Sequence, residues 1–87
     1  LSYRPGGNPD PYTAVGDLAW SPPAGGAARY RVYDGGALVA ETAAPTLAVR
    51  LAGGTRHGYA VTAVDAAGME SVPSAPVQVV ASFLPPP

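Results

Sequence analysis

The chain has 87 residues, a length that fits one domain and not two. Its formal net charge is −1, with five Arg, six carboxylates and no Lys, so it offers no basic surface for nucleic acid or for an anionic membrane. The absence of Cys excludes a disulfide framework, a thiolate metal site and a Cys nucleophile. No apolar stretch approaches the roughly 20 residues that span a bilayer, so we expect no membrane insertion.

The first twelve residues carry three Pro and two Gly. Because Pro removes backbone donors, a central strand is excluded across most of this stretch. Residues 1–4 can form a short edge strand, and the rest reads as a loop or the end of a linker. Residues 1–12 are therefore either a Pro/Gly-rich N-terminal arm or a divergent first strand. Since the chain begins with Leu1 and not Met, we expect a processed product or a piece of a longer protein.

Apolar and polar residues begin to alternate at Thr13. Val15, Leu18 and Trp20 supply the apolar positions of one strand, which the following Ser-Pro-Pro ends. A second alternating strand covers residues 29–33. The Asp-Gly-Gly that follows predicts a hairpin turn, because these residues tolerate positive φ at little cost. A weaker strand, 37–42, lies beyond that turn.

Three further alternating runs, 46–51, 57–63 and 77–80, complete the pattern. Six strands and a candidate seventh, separated by turn signals, predict an all-β, immunoglobulin-like sandwich of two antiparallel sheets. No helical period of useful length is present. We assign the sandwich to residues 13–82, and residues 83–87 to a Pro-rich linker or tail.

Taken in order, these segments resemble a fibronectin type III domain. Residues 18–23, Leu-Ala-Trp-Ser-Pro-Pro, resemble the second strand of that family, whose Trp anchors the core. Residues 30–33 and the turn 34–36 are similar to its third strand and the turn after it. The longest match, 51–68, is similar to its E–F corner, sixth strand and F–G loop. The resemblance covers residues 15–81 and implies fibronectin type III topology with termini at opposite poles.

His57 departs from the family pattern. It stands six residues after Leu51, where the family has the Tyr of its tyrosine corner. A neutral His can offer one ring N–H to a backbone carbonyl, so we expect the corner to survive in altered form, with greater sensitivity to pH. The predicted structural core comprises Leu18, Trp20, Tyr30, Val32, Leu47, Val49, Leu51, His57, Tyr59 and Val61.

No arrangement of residues points to catalysis. His57 is the only imidazole, and the sequence places no nucleophile or orienting acid beside it. One His without Cys does not make a zinc site, and the carboxylates read as turn residues and solvated charge. We therefore predict that the chain is not an enzyme and has no catalytic residues, no metal site and no cofactor.

Loops carry function on scaffolds of this kind, so the F–G loop, 65–71, is the first candidate contact site. Tyr33 joins it because it lies on the opposite strand face from the core residue Tyr30. The predicted contact surface comprises Tyr33, Ala66, Ala67, Gly68, Met69 and Glu70.

The resemblance favours a non-catalytic spacer or protein-interaction module of a secreted or cell-surface bacterial protein. An alternative is a subunit of an extracellular filament or surface assembly that docks through residues 1–12 by strand addition. A weaker alternative is a carbohydrate-binding accessory domain. The expected partners are neighbouring domains or other protein subunits, with polysaccharide as a further candidate and nucleic acid excluded.

Overall fold

The computed structural model describes residues 1–10 and 12–81. Within these ranges it contains seven strands and no helix. The strands are β1 (Ser2–Asp10), β2 (Thr13–Ala19), β3 (Arg29–Asp34), β4 (Ala37–Thr42), β5 (Thr46–Ala52), β6 (Arg56–Val64) and β7 (Val77–Val80). Residue 82 of the predicted sandwich and the predicted tail, 83–87, lie outside the described residues.

The strands form two antiparallel sheets. One sheet has three strands in the order β1-β2-β5, and the other has four in the order β4-β3-β6-β7. Buried side chains from both sheets meet in one cluster between them. The predicted fold class, an all-β antiparallel sandwich of two sheets, is confirmed.

The core is thin and is built from the alternating positions of five strands. Its buried residues are Ala14, Leu18, Tyr30, Val32, Leu51, Tyr59, Val61, Val79 and Ala81. Of the predicted core residues, Trp20, Leu47 and Val49 are half-buried and pack against this cluster. The Trp20 ring meets the Tyr30 ring edge to face, with centroids 5.4 Å apart. This position makes Trp20 a core residue at the margin of the sandwich.

The structure adds detail at His57 and along β2. His57, a predicted core residue, is half-buried, and its ring stacks on the ring of the buried Tyr59 with centroids 5.6 Å apart. Val15 does not share the face of Leu18, since residues three apart on a strand point to opposite faces. Ala14, Gly16 and Leu18 are the buried positions of β2.

The N-terminal residues form a longer strand than the sequence indicated. β1 runs antiparallel to β2 from the pair Ser2–Ala19 to the pair Asp10–Thr13. Two irregularities interrupt the register, one between Pro5 and Gly7 and one between Gly7 and Asp10. Residues 5–9, which we expected in a loop, belong to this strand because an edge strand with bulges tolerates Pro.

The pairing pattern places the two ends of the described chain at opposite poles. At one pole Ser2 pairs with Ala19, which in turn pairs with Thr46. At the other pole the N–H of Gly54 donates to the carbonyl of Ala81, beyond the end of β7. The chain therefore enters at one end of the sandwich, and its last described residue lies at the other.

β1 lies close to β2 because Gly16 has no side chain. The Tyr3 ring crosses over Gly16, and the Tyr3 hydroxyl donates to the carbonyl of Val15 at 3.4 Å. A Cβ on Gly16 would lie 2.7 Å from the backbone oxygen of Arg4 and would also overlap the Tyr3 ring. A strand glycine of this kind marks a close approach of neighbouring groups.

We predict that Gly16→Ala lowers the free energy of unfolding by about 1–3 kcal/mol, because β1 must shift to accept the methyl group. Gly6→Ala is the matched control, since a Cβ there comes no closer than 3.4 Å to any atom. Urea unfolding followed by circular dichroism measures both variants. Equal effects of the two substitutions would contradict the close approach at Gly16.

Candidate contact site at the β6–β7 loop

The loop that joins β6 to β7, residues 65–76, begins with a tight turn organised by Asp65. The Asp65 Oδ1 accepts hydrogen bonds from the N–H groups of Ala67 and Met69, each at 2.9 Å. The N–H of Asp65 donates to the carbonyl of Met69 at 3.0 Å. Gly68 closes the turn with φ of 85°, a conformation that favours glycine. The loop therefore starts as a defined turn and not as a loose segment.

Glu70 turns back from this tip onto the outer face of the four-stranded sheet. Its Oε2 accepts a hydrogen bond from the Thr62 hydroxyl at 2.6 Å and another from the Tyr33 hydroxyl. Its Oε1 accepts a hydrogen bond from Arg31 Nη1 at 3.2 Å. Two members of the predicted contact surface, Tyr33 and Glu70, are thus brought into direct contact.

These contacts lower the pKa of Glu70 and raise the pKa of Tyr33. The hydrogen bonds from Thr62 and Tyr33, together with the charge of Arg31, hold the pKa of Glu70 below its ordinary value. The hydrogen bond to Glu70 is the main cause that raises the pKa of Tyr33, with partial burial and the carboxylate charge adding to it. At neutral pH the pair is therefore a carboxylate and a protonated phenol, which suits an anchor better than an acid or a base.

Two serines hydrogen-bond the rest of the loop to the backbone of β6, along the edge opposite β3. The N–H of Ser71 donates to the carbonyl of Ala63, and the Ser71 hydroxyl accepts from the N–H of Ala63. Ser74 makes the same pair of bonds with Val61. The two serines thus replace the ladder that β7 would make if it extended further. Alternation in the sequence gives no signal for this role, because both serines lie between the alternating segments 57–63 and 77–80.

The remaining predicted contact residues are exposed at the tip. Ala66, Ala67 and Gly68 are exposed, and Met69 exposes 70 % of its surface. Beside the tip, a shallow groove of about 460 Å³ crosses the outer face of the four-stranded sheet. Its lining residues include Tyr33, Gly36, Ala60, Thr62, Glu70 and Pro73. The site therefore combines an apolar tip with a groove whose polar groups already bond to one another.

A second polar cluster connects the β3–β4 turn with the β5–β6 turn. His57 Nδ1 lies 2.6 Å from Asp34 Oδ2, and His57 Nε2 lies 2.7 Å from the Thr55 hydroxyl. Asp34 also accepts a hydrogen bond from the N–H of Gly58 at 3.2 Å. The expected bond from His57 to a backbone carbonyl is therefore wrong: two side chains take its place, because the strand pairing brings Asp34 beside the ring.

This carboxylate–imidazole–hydroxyl chain has the order of a hydrolytic triad, but its surroundings are those of a structural link. The Thr55 hydroxyl lies 2.6 Å from the carbonyl of Ala52, to which it donates. The N–H groups of residues 53–55 all donate to backbone carbonyls. This turn consequently offers no backbone donors for the oxyanion that acyl transfer requires.

Across residues 1–10 and 12–81, no group of three or more His, Asp or Glu is placed to hold a metal ion. The same part of the chain contains no helix that is long and apolar enough to cross a membrane.

Comparisons with protein-family models, with curated proteins and with solved structures found no match. The resemblance to fibronectin type III domains stays a prediction from the sequence.

We predict that the loop anchor withstands mild acid and is released only when Glu70 is protonated. Because the pKa of Glu70 is lowered in the folded chain, its stabilising contribution is present above the ordinary Glu pKa of about 4.3 and is lost as the pH falls further. The NMR signals of Tyr33 and of the Met69 methyl group should therefore change together below about pH 4. Glu70→Gln removes the titrating group and should abolish this coupled transition. A joint transition that persists in Glu70→Gln would show that another group controls the loop.

We predict that Asp34→Ala lowers the free energy of unfolding by about 1–3 kcal/mol, because it leaves His57 Nδ1 and the Gly58 N–H without their acceptor. Asp17→Ala provides the control, since Asp17 is exposed on β2. Thermal and urea unfolding at neutral pH measure the difference. A decrease in the free energy of unfolding no larger than that of Asp17→Ala would show that the link between the two turns does not stabilise the fold.

Proposed function

We propose that this chain is a non-catalytic spacer and protein-interaction module of a secreted or cell-surface bacterial protein. The observation that carries the proposal is the position of its ends. Leu1 precedes the pair Ser2–Ala19 at one pole, and Ala81 bonds to the β5–β6 turn at the other. A domain with this arrangement extends a polypeptide by its own length when it is joined in series with others.

The position of the candidate contact site agrees with this role. Leu1 and Trp20 line one shallow groove together with Ser71 and Val72 of the β6–β7 loop. The exposed Met69 tip therefore lies at the pole where the chain begins, and there it can contact a domain that precedes this one. Polarizable, exposed Met side chains suit adaptable protein contacts.

The internal bonding of the polar groups favours protein contact over chemistry. Glu70 accepts hydrogen bonds from three side chains, and Tyr33 uses its hydroxyl on Glu70. The groove therefore presents mostly the ring of Tyr33, Ala60 and Pro73, with few polar groups left to orient a sugar or a reacting substrate. Docking through residues 1–12, the filament alternative, either displaces β1 from β2 or uses the outer edge of β1, which is interrupted by Pro5, Pro9 and two register irregularities.

The proposal is tested in the organism that produces the protein, with an antibody raised against residues 13–81. We expect the antibody to detect the domain in the culture medium or on the cell surface, within a polypeptide much larger than 8.7 kDa. Fractionation followed by intact-mass measurement reads out both properties. Recovery in the cytoplasm alone would overturn the proposed location, and a mass that matches residues 1–87 would overturn the spacer role.

The contact role is tested separately with a photo-crosslinking residue at position 69 of the full-length protein. The matched control carries the same residue at position 52, because Ala52 is also exposed but lies at the opposite pole. Position 69 should crosslink to the preceding domain or to a second protein more strongly than position 52 does. Equal or absent crosslinking at the two positions would contradict a contact at the loop tip.

A further inference from the structure

β5 is an edge strand whose outer side is open. It pairs with β2 in unbroken register over all seven of its residues. Across residues 1–10 and 12–81, no other strand pairs with it. The other three edges are interrupted or short: β1 contains two Pro and two register irregularities, the β3–β4 ladder skips Val39, and β7 has four residues. Pro, bulges and short length blunt sheet edges, so β5 is the longest uninterrupted edge of the sandwich.

The register with β2 determines which backbone groups of β5 point outward. One residue pair beyond the β2–β5 ladder, the N–H of Trp20 donates to the carbonyl of Pro45 at 3.0 Å. In an antiparallel ladder, such hydrogen-bonded pairs alternate with pairs whose N–H and C=O groups point away from each other. The backbone groups of residues 47, 49 and 51 are therefore directed at β2. The N–H and C=O groups of Ala48 and Arg50 point outward and are available to another strand.

β5 is complementary to itself when two copies pair antiparallel about a two-fold axis at Val49. In this register Leu47 stands opposite Leu51 of the second copy, and Ala48 stands opposite Arg50. The outward backbone groups then meet each other, and apolar side chains meet apolar side chains next to the core, where Leu47 and Val49 are half-buried.

Other antiparallel registers of β5 with itself fit less well. A shift by one residue sets Ala48 opposite Val49, whose backbone groups are already bonded to β2. A shift by two residues leaves the last two or the first two residues of each strand unpaired, and in the second case it brings Arg50 opposite Arg50. Like charges directly opposite each other destabilise a strand pair, so the register about Val49 is favoured.

The outer face of the sheet supplies a matching pair of charges. Asp17 stands opposite Ala48 in the β2–β5 ladder, so the symmetric pair aligns Asp17, Ala48 and Arg50 of the second copy across the joined sheet. The two charged residues are then about 10 Å apart at Cα, a distance that an Arg side chain lying over the small Ala48 can bridge. A shallow groove of about 390 Å³, lined in part by these three residues, provides the space. Asp17 and Arg50 are exposed, and neither makes an ion pair within the described part of the chain.

We propose that β5 is a self-association edge, at which two copies of this chain pair about Val49 and form two Asp17–Arg50 ion pairs. The pair joins two three-stranded sheets into one continuous sheet. A second copy suits this edge because each copy supplies both the carboxylate and the guanidinium, whereas an unrelated apolar strand would leave Arg50 without a partner. The contact is self-complementary, so it closes as a dimer. This inference does not depend on the proposed function.

Sedimentation equilibrium of the folded chain from about 10 μM to 1 mM tests the proposal. We expect a weak, reversible dimer, because one edge strand buries less surface than a standard interface. Below about 10 μM such a dimer is largely dissociated, which leaves position 52 free as a crosslinking control. In the unsubstituted chain, hydrogen exchange at the amides of Ala48 and Arg50 should slow as the concentration rises, because these amides are bonded only in the dimer.

Charge reversal tests the two ion pairs. Arg50→Glu and Asp17→Arg should each weaken dimerisation at least about tenfold, because each sets like charges against each other twice in the symmetric pair. An equimolar mixture of these two variants should dimerise again, since every acidic position in the mixed pair faces a basic one. An ion pair within one chain would not respond to mixing.

The double variant Asp17→Arg/Arg50→Glu should also dimerise as the unsubstituted chain does. Its matched control is Asp17→Arg/Arg56→Glu, which has the same net charge but changes an exposed Arg of the other sheet and should stay monomeric. Circular dichroism establishes that each variant is folded. A chain that stays monomeric to about 1 mM would overturn the proposal. So would a mixture that fails to dimerise, or a control that dimerises as well as Asp17→Arg/Arg50→Glu.

Discussion

The backbone of β6 must be hydrogen-bonded on both sides, and much of the structure follows from how this is achieved. On one side β3 pairs with β6 along residues 59–64. On the other side β7 pairs with it only along residues 56–59, because Pro73 and Pro76 interrupt the ladder. Ser71 and Ser74 supply the missing acceptors for Ala63 and Val61. An unpaired buried N–H is costly, so the loop is held against β6 along its length.

The same constraint determines what the loop can do. Once Ser71 is bonded to β6, the carboxylate of Glu70 reaches the outer face of the sheet, where Thr62 and Tyr33 donate to it. The polar part of the loop is therefore used internally, and the part that remains available is the tip around Met69. The loop therefore combines polar side chains that bond within the domain with an exposed Met69 side chain at its tip.

The sequence predicts the strands that have one face on the core and fails where pairing partners are distant. Strict alternation indicates β3, β5 and β6, since their apolar residues must share one face. β1 escapes this reasoning, because an exposed, bulged edge strand needs no alternation and tolerates Pro. Tyr33 and Glu70 could be proposed separately, but only the register of β3 against β6 shows that they touch. The partnership of His57 with Asp34 depends on the same register.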